Sequence, residues 1–279
     1  VNNNLDPAII KKLEYLSKEV RKKVVKMHVK GTNIGGAMSV TDILTSLYFF
    51  CMNFKSPDDK DRDRLILSKG HCVSAQYACL SLMGFIDDSE LYTYLNDSSC
   101  LTGHPVLNKV PGIEASTGSL GHGLPIAAGI AHAARLDKKS FHTYVVLGDG
   151  ECQEGSVWEG ANLASRLNLD NLTLIVDANK IQAYDRVDEI MPLKSLNSKF
   201  KAFGFNTLET DGHDHNALIS AFSADNIIKN KPRAVIAHTV KGKGVAEMEN
   251  KIEWHYYSSP PEKLQAFISE IEAGLSSVK

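Results

Sequence analysis

Short apolar runs alternate with longer stretches of helical period along this chain. Leu65–Leu67, Tyr144–Leu147, Leu172–Val176 and Ala234–Val240 are apolar and bounded by glycine or polar residues, which is the pattern of buried strands. Phe203–Leu208 is a fifth strand candidate. Between them lie helical patterns. The clearest runs from Pro7 to Lys30, where Asp6 can cap the helix, Pro7 suits the first turn, Ile9, Ile10, Leu13, Leu16, Val20 and Val24 form one stripe, and Gly31 ends it. A loop at Thr32–Gly36 leads to a helix from about Ser39 to Phe50, and further helices are expected over Cys72–Met83, in the alanine-rich stretch after Leu124, over Glu154–Leu167, from Asp214 to about Ile228, and over Pro260–Ala273. Strands alternating with helices, without a Pro/Ser-rich linker, an internal repeat or a low-complexity segment, predict one α/β domain over residues 1–279: a mostly parallel sheet with helices on both faces.

One βαβ unit carries the densest chemistry. The strand Tyr144–Leu147 runs into Gly148-Asp149-Gly150, the helix follows, and the strand Leu172–Val176 runs into Asp177-Ala178-Asn179. Parallel strands put Asp149 and Asn179 at the same carboxyl edge, where open α/β sheets bind ligands. Glycines at the turn permit close approach of backbone to ligand. A carboxylate and an amide oxygen are hard donors suited to Mg²⁺ shared with a diphosphate.

Composition narrows the field. The 279 residues are 43% hydrophobic, enough for a substantial core, and the formal net charge of −2 with mixed signs gives no support to nucleic-acid or membrane-surface binding. No apolar run approaches the roughly 20 residues that span a bilayer. Val1–Pro7 is polar and lacks a signal-peptide core. Five cysteines (Cys51, Cys72, Cys79, Cys100, Cys152) without CxxC spacing predict free thiols and a reducing, cytoplasmic location, with Cys152 a packing residue.

Gly148-Asp149-Gly150, closed by Asn179 thirty residues after Asp149, resembles the thiamine diphosphate signature. Together with Gln153-Glu154-Gly155 and Asp177-Ala178-Asn179-Lys180-Ile181 it resembles transketolase. Ser68-Lys69-Gly70-His71, Thr102-Gly103-His104-Pro105, Ser116–Leu124 and Trp254-His255 extend the likeness over most of the chain, in order. The resemblance implies the thiamine diphosphate-binding fold, in its diphosphate-binding domain, and transfer of a two-carbon ketol unit from a ketose or ketose phosphate to an aldehyde acceptor. It implies that Asp149 and Asn179 hold Mg²⁺ (or Ca²⁺ or Mn²⁺) by side chains and Ile181 by its carbonyl. Gly148, Gly150, His71 and His255 would lie against the diphosphate, and Gly118 and Leu120 against the thiazolium and pyrimidine rings. His71, His104 and His255 would contact substrate hydroxyls and move protons, a task suited to groups that titrate near neutrality. Glu154 would sit at a contact between protomers near the active site.

The chain also departs from the family pattern. Asn33-Ile34 stand where transketolases carry a His-Pro pair whose histidine faces the substrate, and His122 replaces a more usual glutamine. Only the first of the family's three domains is represented, and no residue matches the glutamate of the pyrimidine-binding domain that activates the cofactor. The resemblance therefore implies a split transketolase. A second polypeptide would carry the pyrimidine-binding domain, and the pair would assemble as an α2β2 heterotetramer. Two other readings stay open: the diphosphate-binding subunit of a 2-oxo acid decarboxylase or dehydrogenase, and a non-catalytic relative.

Overall fold

Side chains on successive strand positions point to opposite faces of a sheet, and here both faces are apolar. The computed structural model describes residues 5–31 and 33–274, so the readings at Val1–Asn4, Thr32 and Lys279 lie outside the described residues. Its strands are β1 (Arg64–Leu67), β2 (Thr143–Gly148), β3 (Leu172–Ala178), β4 (Asn206–Asp211) and β5 (Arg233–His238). They form one sheet in the order β1-β2-β3-β5-β4, and every pairing is parallel. The helices are α1 (Pro7–Met27), α2 (Ile34–Ser46), α3 (Val73–Leu82), α4 (Gly123–Leu136), α5 (Gly155–Arg166), α6 (Val187–Ile190), α7 (Leu196–Ala202), α8 (His215–Phe222) and α9 (Leu264–Ala273). Leu65, Leu67, Val146, Ile175, Val235 and Ala237 pack with residues of α1, α2, α3, α8 and α9. Their neighbours Ile66, Val145, Leu147, Leu174, Val176 and Ile236 pack with α4, α5 and α7. This is the mostly parallel α/β sheet with helices on both faces that the alternating pattern predicts.

Several boundaries differ from the sequence reading, each for a physical reason. Within the stretch read as a loop at 32–36, Ile34, Gly35 and Gly36 already form the first turn of α2: Gly35 and Gly36 are poor helix formers, but they are needed there because the Lys241 side chain and Cys72 Sγ pack where their Cβ atoms would be. Beyond Ser46 the same helix continues as a π-helical turn, Leu47–Cys51. The whole segment Ile34–Cys51 is long and apolar enough to cross a membrane by composition, contrary to the sequence reading, yet 83% of it is buried inside the fold. The fifth strand is Asn206–Asp211 rather than Phe203–Leu208. It is a half-exposed edge strand, so burial gives it no apolar run, and Phe203 instead caps α7. The helix after Asp214 stops at Phe222 rather than Ile228, because Arg233 takes the carbonyls of Ala221, Phe222 and Ser223. The last helix lies on the surface and buries one stripe, Phe267 and Ile271, in the core.

A buried polar hub joins the back of the sheet to its carboxyl edge. Arg21 of α1 donates to both carboxylate oxygens of Asp42 in α2, at 3.0 and 2.6 Å. His213, just after β4, accepts the Val240 amide at Nε2 (2.8 Å) and so carries its proton on Nδ1, from which it donates to Asp42 Oδ2 (2.7 Å). Burial alone would raise the Asp42 pKa; the Arg21 charge and the His213 hydrogen bond outweigh it and hold the carboxyl well below its ordinary value. Removing the carboxylate leaves Arg21 charged and unpaired in the interior. Asp42→Ala is therefore predicted to lose about 3–5 kcal/mol of stability, read as a lower urea midpoint with an unchanged m-value; an unaltered midpoint would show that the pair is not carrying that load.

Candidate active site

Parallel strands deliver their last residues to one edge, and the sequence puts polar residues at the ends of β1, β2, β3 and β5. They line a cleft of about 270 Å³ together with the start of α2, the loop before α4 and the turn before α5. Asn33, His71, Gly118, Leu120, Gly148, Asp149, Gly150, Glu154, Asn179, Ile181 and His255 are all on its wall. His104 is not. Its ring lies against Gly118, where a Cβ would meet His104 Cδ2 at 2.8 Å, and Gly118 has a φ of 141° that glycine tolerates best. His122 is exposed and not on the wall either. A larger hollow of about 890 Å³ opens at the opposite, amino edge beside Phe50, Tyr144 and Arg233, and contains none of the motif residues.

Asp149 is buried at the end of β2. Its Oδ1 accepts from the Gly150 amide (2.8 Å) and its Oδ2 from the Lys180 amide (2.6 Å). Burial nevertheless pushes its pKa up to about 6, and among the described residues no cationic side chain pairs with it. Asn179 is fixed in orientation: Nδ2 donates to Ser39 Oγ (3.1 Å) and Oδ1 accepts from the Ile181 amide (3.1 Å). The Ile181 carbonyl accepts from Lys241 Nζ at 3.1 Å. Carboxylate, amide and carbonyl oxygens on one wall are a hard donor set that fits Mg²⁺ or Ca²⁺, and each oxygen keeps a lone pair beyond the hydrogen bond it accepts. Among the described residues no three His, Cys, Asp or Glu side chains converge, so the other positions around such an ion would fall to ligand and water oxygens. The glycines of the turn act by space rather than by unusual backbone. Neither Gly148 nor Gly150 has a positive φ, while a Cβ on Gly150 would press on Gln182 at 3.0 Å.

Beneath this wall lies a residue that the sequence reading did not single out for a role. Asp177, fully buried at the end of β3, accepts from Lys69 Nζ, from Ser39 Oγ (2.6 Å) and from Thr239 Oγ1. Burial alone would lower the Lys69 pKa, but the Asp177 carboxylate more than reverses this and keeps Lys69 charged. Lys241 is also buried, and burial, with Lys69 nearby, brings its pKa down to about 8. It donates to His255 Nδ1 (3.0 Å), which places the His255 proton on Nε2. The position of Lys69 and Lys241 at this edge is legible in the sequence, since both lie just past the ends of β1 and β5; their burial and their partners are not.

The histidines do not titrate near neutrality as expected. Burial first, then the positive charge of Lys69 and, after it, neighbours that include His255 and Lys241, holds His71 well below its ordinary value. Burial, then Lys241 and Lys69, brings His255 down to about 4, and burial lowers His104. All three are neutral at pH 7, each with one donor and one acceptor nitrogen. The His71 and His255 rings are 5.9 Å apart between centroids. Glu154 is exposed on the rim, and its Cβ lies 2.6 Å from where a Cβ on Gly121 would sit. The cysteines are free thiols as expected, and burial pushes that of Cys152 far up, as befits a packing residue.

Asp149 has a sharp pH consequence. It holds its proton more tightly in the folded chain, at about 6, than at its ordinary 3.8. Its contribution therefore favours the folded state fully below about pH 4 and is lost as pH rises through 6. In the cofactor-free protein, Asp149→Asn removes this dependence. The stability difference between the two proteins is predicted to move in the variant's favour by up to about 3 kcal/mol between pH 4 and pH 8. Parallel pH profiles in paired urea melts would contradict this.

The sequence matches the family model described as transketolase, thiamine diphosphate binding domain, over residues 11–263. It is 40% identical over 266 residues to one of the subunits of the apulose-4-phosphate transketolase of Phocaeicola vulgatus, covering 94% of each chain. It is 36% identical to the 6-deoxy-6-sulfo-D-fructose transketolase subunit SqwG of a Clostridium species, covering 86% of this chain and 88% of that one. Against human transketolase the identity is 38%, over 86% of this chain but 38% of the human protein. The fold superposes on the transketolase of Leishmania mexicana with a TM-score of 0.85 at 28% identity, covering 96% of this chain and 42% of that one. A match of this extent, on a cleft built from the same motifs, makes the chain a member of the transketolase thiamine diphosphate-binding domain family, the diphosphate-binding part of a transketolase-type transferase.

Proposed function

We propose that this chain is the diphosphate-binding subunit of a split transketolase that moves a two-carbon ketol unit between sugars, with thiamine diphosphate and Mg²⁺ held in the carboxyl-edge cleft. The observation that carries the reading is the arrangement of that cleft. An unpaired buried carboxylate and two further oxygen donors face two buried lysines and two neutral histidines within one wall. Asp149, Asn179 and the Ile181 carbonyl would hold the metal, and Ca²⁺ or Mn²⁺ has the same preference for hard oxygen ligands. Lys241 and the N-terminus of α2 offer positive charge to the diphosphate. Bound cofactor supplies the nucleophilic carbon and takes up the electron pair released when the ketose carbon–carbon bond breaks.

The chain's own work is to bind and to move protons. His71, neutral in the empty cleft, can take a proton from a substrate hydroxyl at one nitrogen and return it later, while His255, whose Nδ1 accepts from Lys241, offers its Nε2–H as a hydrogen-bond donor to a substrate oxygen. A bound diphosphate would raise their affinity for that proton by bringing negative charge beside them. His104, packed on Gly118 at the rim, would meet the outer hydroxyls. The Gly118–Leu120 wall excludes water from the ring end.

The relatives named as subunits are covered over 94% and 88% of their length, while the chain spans 42% of the solved Leishmania mexicana transketolase. We take the partner to carry the pyrimidine-binding domain and its activating glutamate, in an α2β2 assembly with Glu154 near the contact. The chain alone is predicted to show no ketol transfer, and activity should appear when the partner is added and rise to a plateau at one partner per chain. Turnover by the purified single chain would overturn the split reading.

Asn33 argues for a specialised sugar. It faces the cleft with a left-handed backbone (φ 67°), and its amide donates to the His255 carbonyl at 2.8 Å. Asn and His are both tolerated in that backbone region, so Asn33→His should fold. Asn can orient a hydroxyl but cannot shuttle a proton near neutral pH. The relatives' names point to apulose 4-phosphate and a sulfonated fructose rather than the common pentose phosphates. In a panel of donors and acceptors, the natural complex is predicted to prefer a ketose other than xylulose 5-phosphate, and Asn33→His to shift that preference toward it by about tenfold or more. A natural preference for xylulose 5-phosphate that Asn33→His leaves unmoved would refute this.

A further inference from the structure

The cleft has two walls that come from distant parts of the chain. One is the loop 116–124, with Gly118 and Leu120; the other is the turn at Gly148–Gly150, with Asp149. A cofactor that spans both depends on their separation, and neither segment fixes it by its own backbone. The loop has positive φ at Gly118 (141°) and Gly121 (84°), so it is not part of any regular ladder.

A single carboxylate joins them. Glu151 is 3% exposed at the floor of the cleft. Its Oε1 accepts from the Gly121 amide (2.8 Å) and from Ser68 Oγ, and its Oε2 accepts from the Gly148 amide (3.0 Å). Ser68, just past the end of β1, in turn accepts from the Gly123 amide at 3.0 Å. Gly123 sits so close that a Cβ there would overlap the serine side chain. Three chain segments thus meet on one side chain, and no cation forms an ion pair with it among the described residues. Hydrogen bonds to a carboxylate are short and strong, and their directions fix the donors in space.

We propose that Glu151 is a positioning residue that sets the spacing between the Gly118–Leu120 wall and the Asp149 wall, and thereby the affinity of the cleft for thiamine diphosphate. This rests on the cofactor reading above. Glu151 touches neither cofactor nor substrate in this role; it acts through Gly121, Ser68 and Gly148. Glutamine at 151 keeps the volume but turns an amino group toward donors that need an acceptor. Ser68→Ala cuts the same network from the other side, with a smaller risk to folding.

The test uses the complex with its partner chain. Thiamine diphosphate binding in the presence of Mg²⁺ is measured by calorimetry for the natural chain, Glu151→Gln, Ser68→Ala and the double variant, and amide exchange is followed in the cofactor-free protein. Each single variant is expected to weaken binding by about tenfold or more, and the double variant to be much less than the product of the two. The Michaelis constant for the cofactor should rise while kcat at saturating cofactor stays within a few-fold. Exchange at the Gly121 and Gly148 amides should quicken, with β2 and β3 core amides unchanged. Natural affinity in either folded variant, losses that simply multiply, or Gly121 exchange at the natural rate would overturn the proposal; if Glu151→Gln does not fold, Ser68→Ala decides. A natural complex that binds no thiamine diphosphate would instead overturn the functional reading and this one with it, so the two failures are distinct.

Discussion

The cleft depends on one buried acceptor. Asp177 ends the central strand β3 beneath the site, and an ionised carboxylate there is tolerable only if its oxygens are met. Lys69 arrives from β1, Ser39 from α2 and Thr239 from β5 to meet them. Each of these residues then does a second job by position alone. Ser39 orients the Asn179 amide, Lys69 brings fixed positive charge to the wall, and Thr239 leads the chain into Lys241. Neighbouring strands are thus locked in register at the edge where ligand has to bind, and the geometry of the wall is a by-product of satisfying a charge below it.

The electrostatics follow from that arrangement. The cleft holds two buried ammonium groups, Lys69 paired directly with Asp177 and Lys241 beside His255, together with the carboxylates of Asp149 and Glu151 and neutral histidines. Burial first, and then the nearby ammonium groups, keep the histidines from holding protons at neutral pH, which is why their ordinary titration range is a poor guide here. A polyanion bound there would meet Lys241 and would raise the histidines' affinity for protons. The site is therefore built to be charged by what it binds, with proton affinities that are low in the empty state and rise on loading.

Much of this was legible in the sequence, because the signals were local. Apolar runs ending in Gly148-Asp149-Gly150 and Asp177-Ala178-Asn179 gave two adjacent strands and the edge they share, and most motif residues line one cleft. What was not legible was whatever tertiary contact decides. Gly35 and Gly36 read as loop because their propensity is poor, while a lysine and a cysteine packed against them make them helix. β4 was displaced because a half-exposed edge strand has no apolar run. That Lys69, Lys241 and Glu151 are interior groups follows only from partners that distant segments bring to them. His104, expected to contact substrate hydroxyls, packs on Gly118 and is not among the residues of the cleft wall.

The Asp42 hub has a consequence for modularity. The amide that starts the Lys241 turn is held by His213, His213 by Asp42, and Asp42 by Arg21 on the first helix. The unit that can be exchanged between relatives without retuning is therefore not the ring of residues that touch ligand. It includes α1, none of whose residues lines the cleft, so a chimera that imports the cleft loops alone would inherit the right side chains on a foundation that aims them differently.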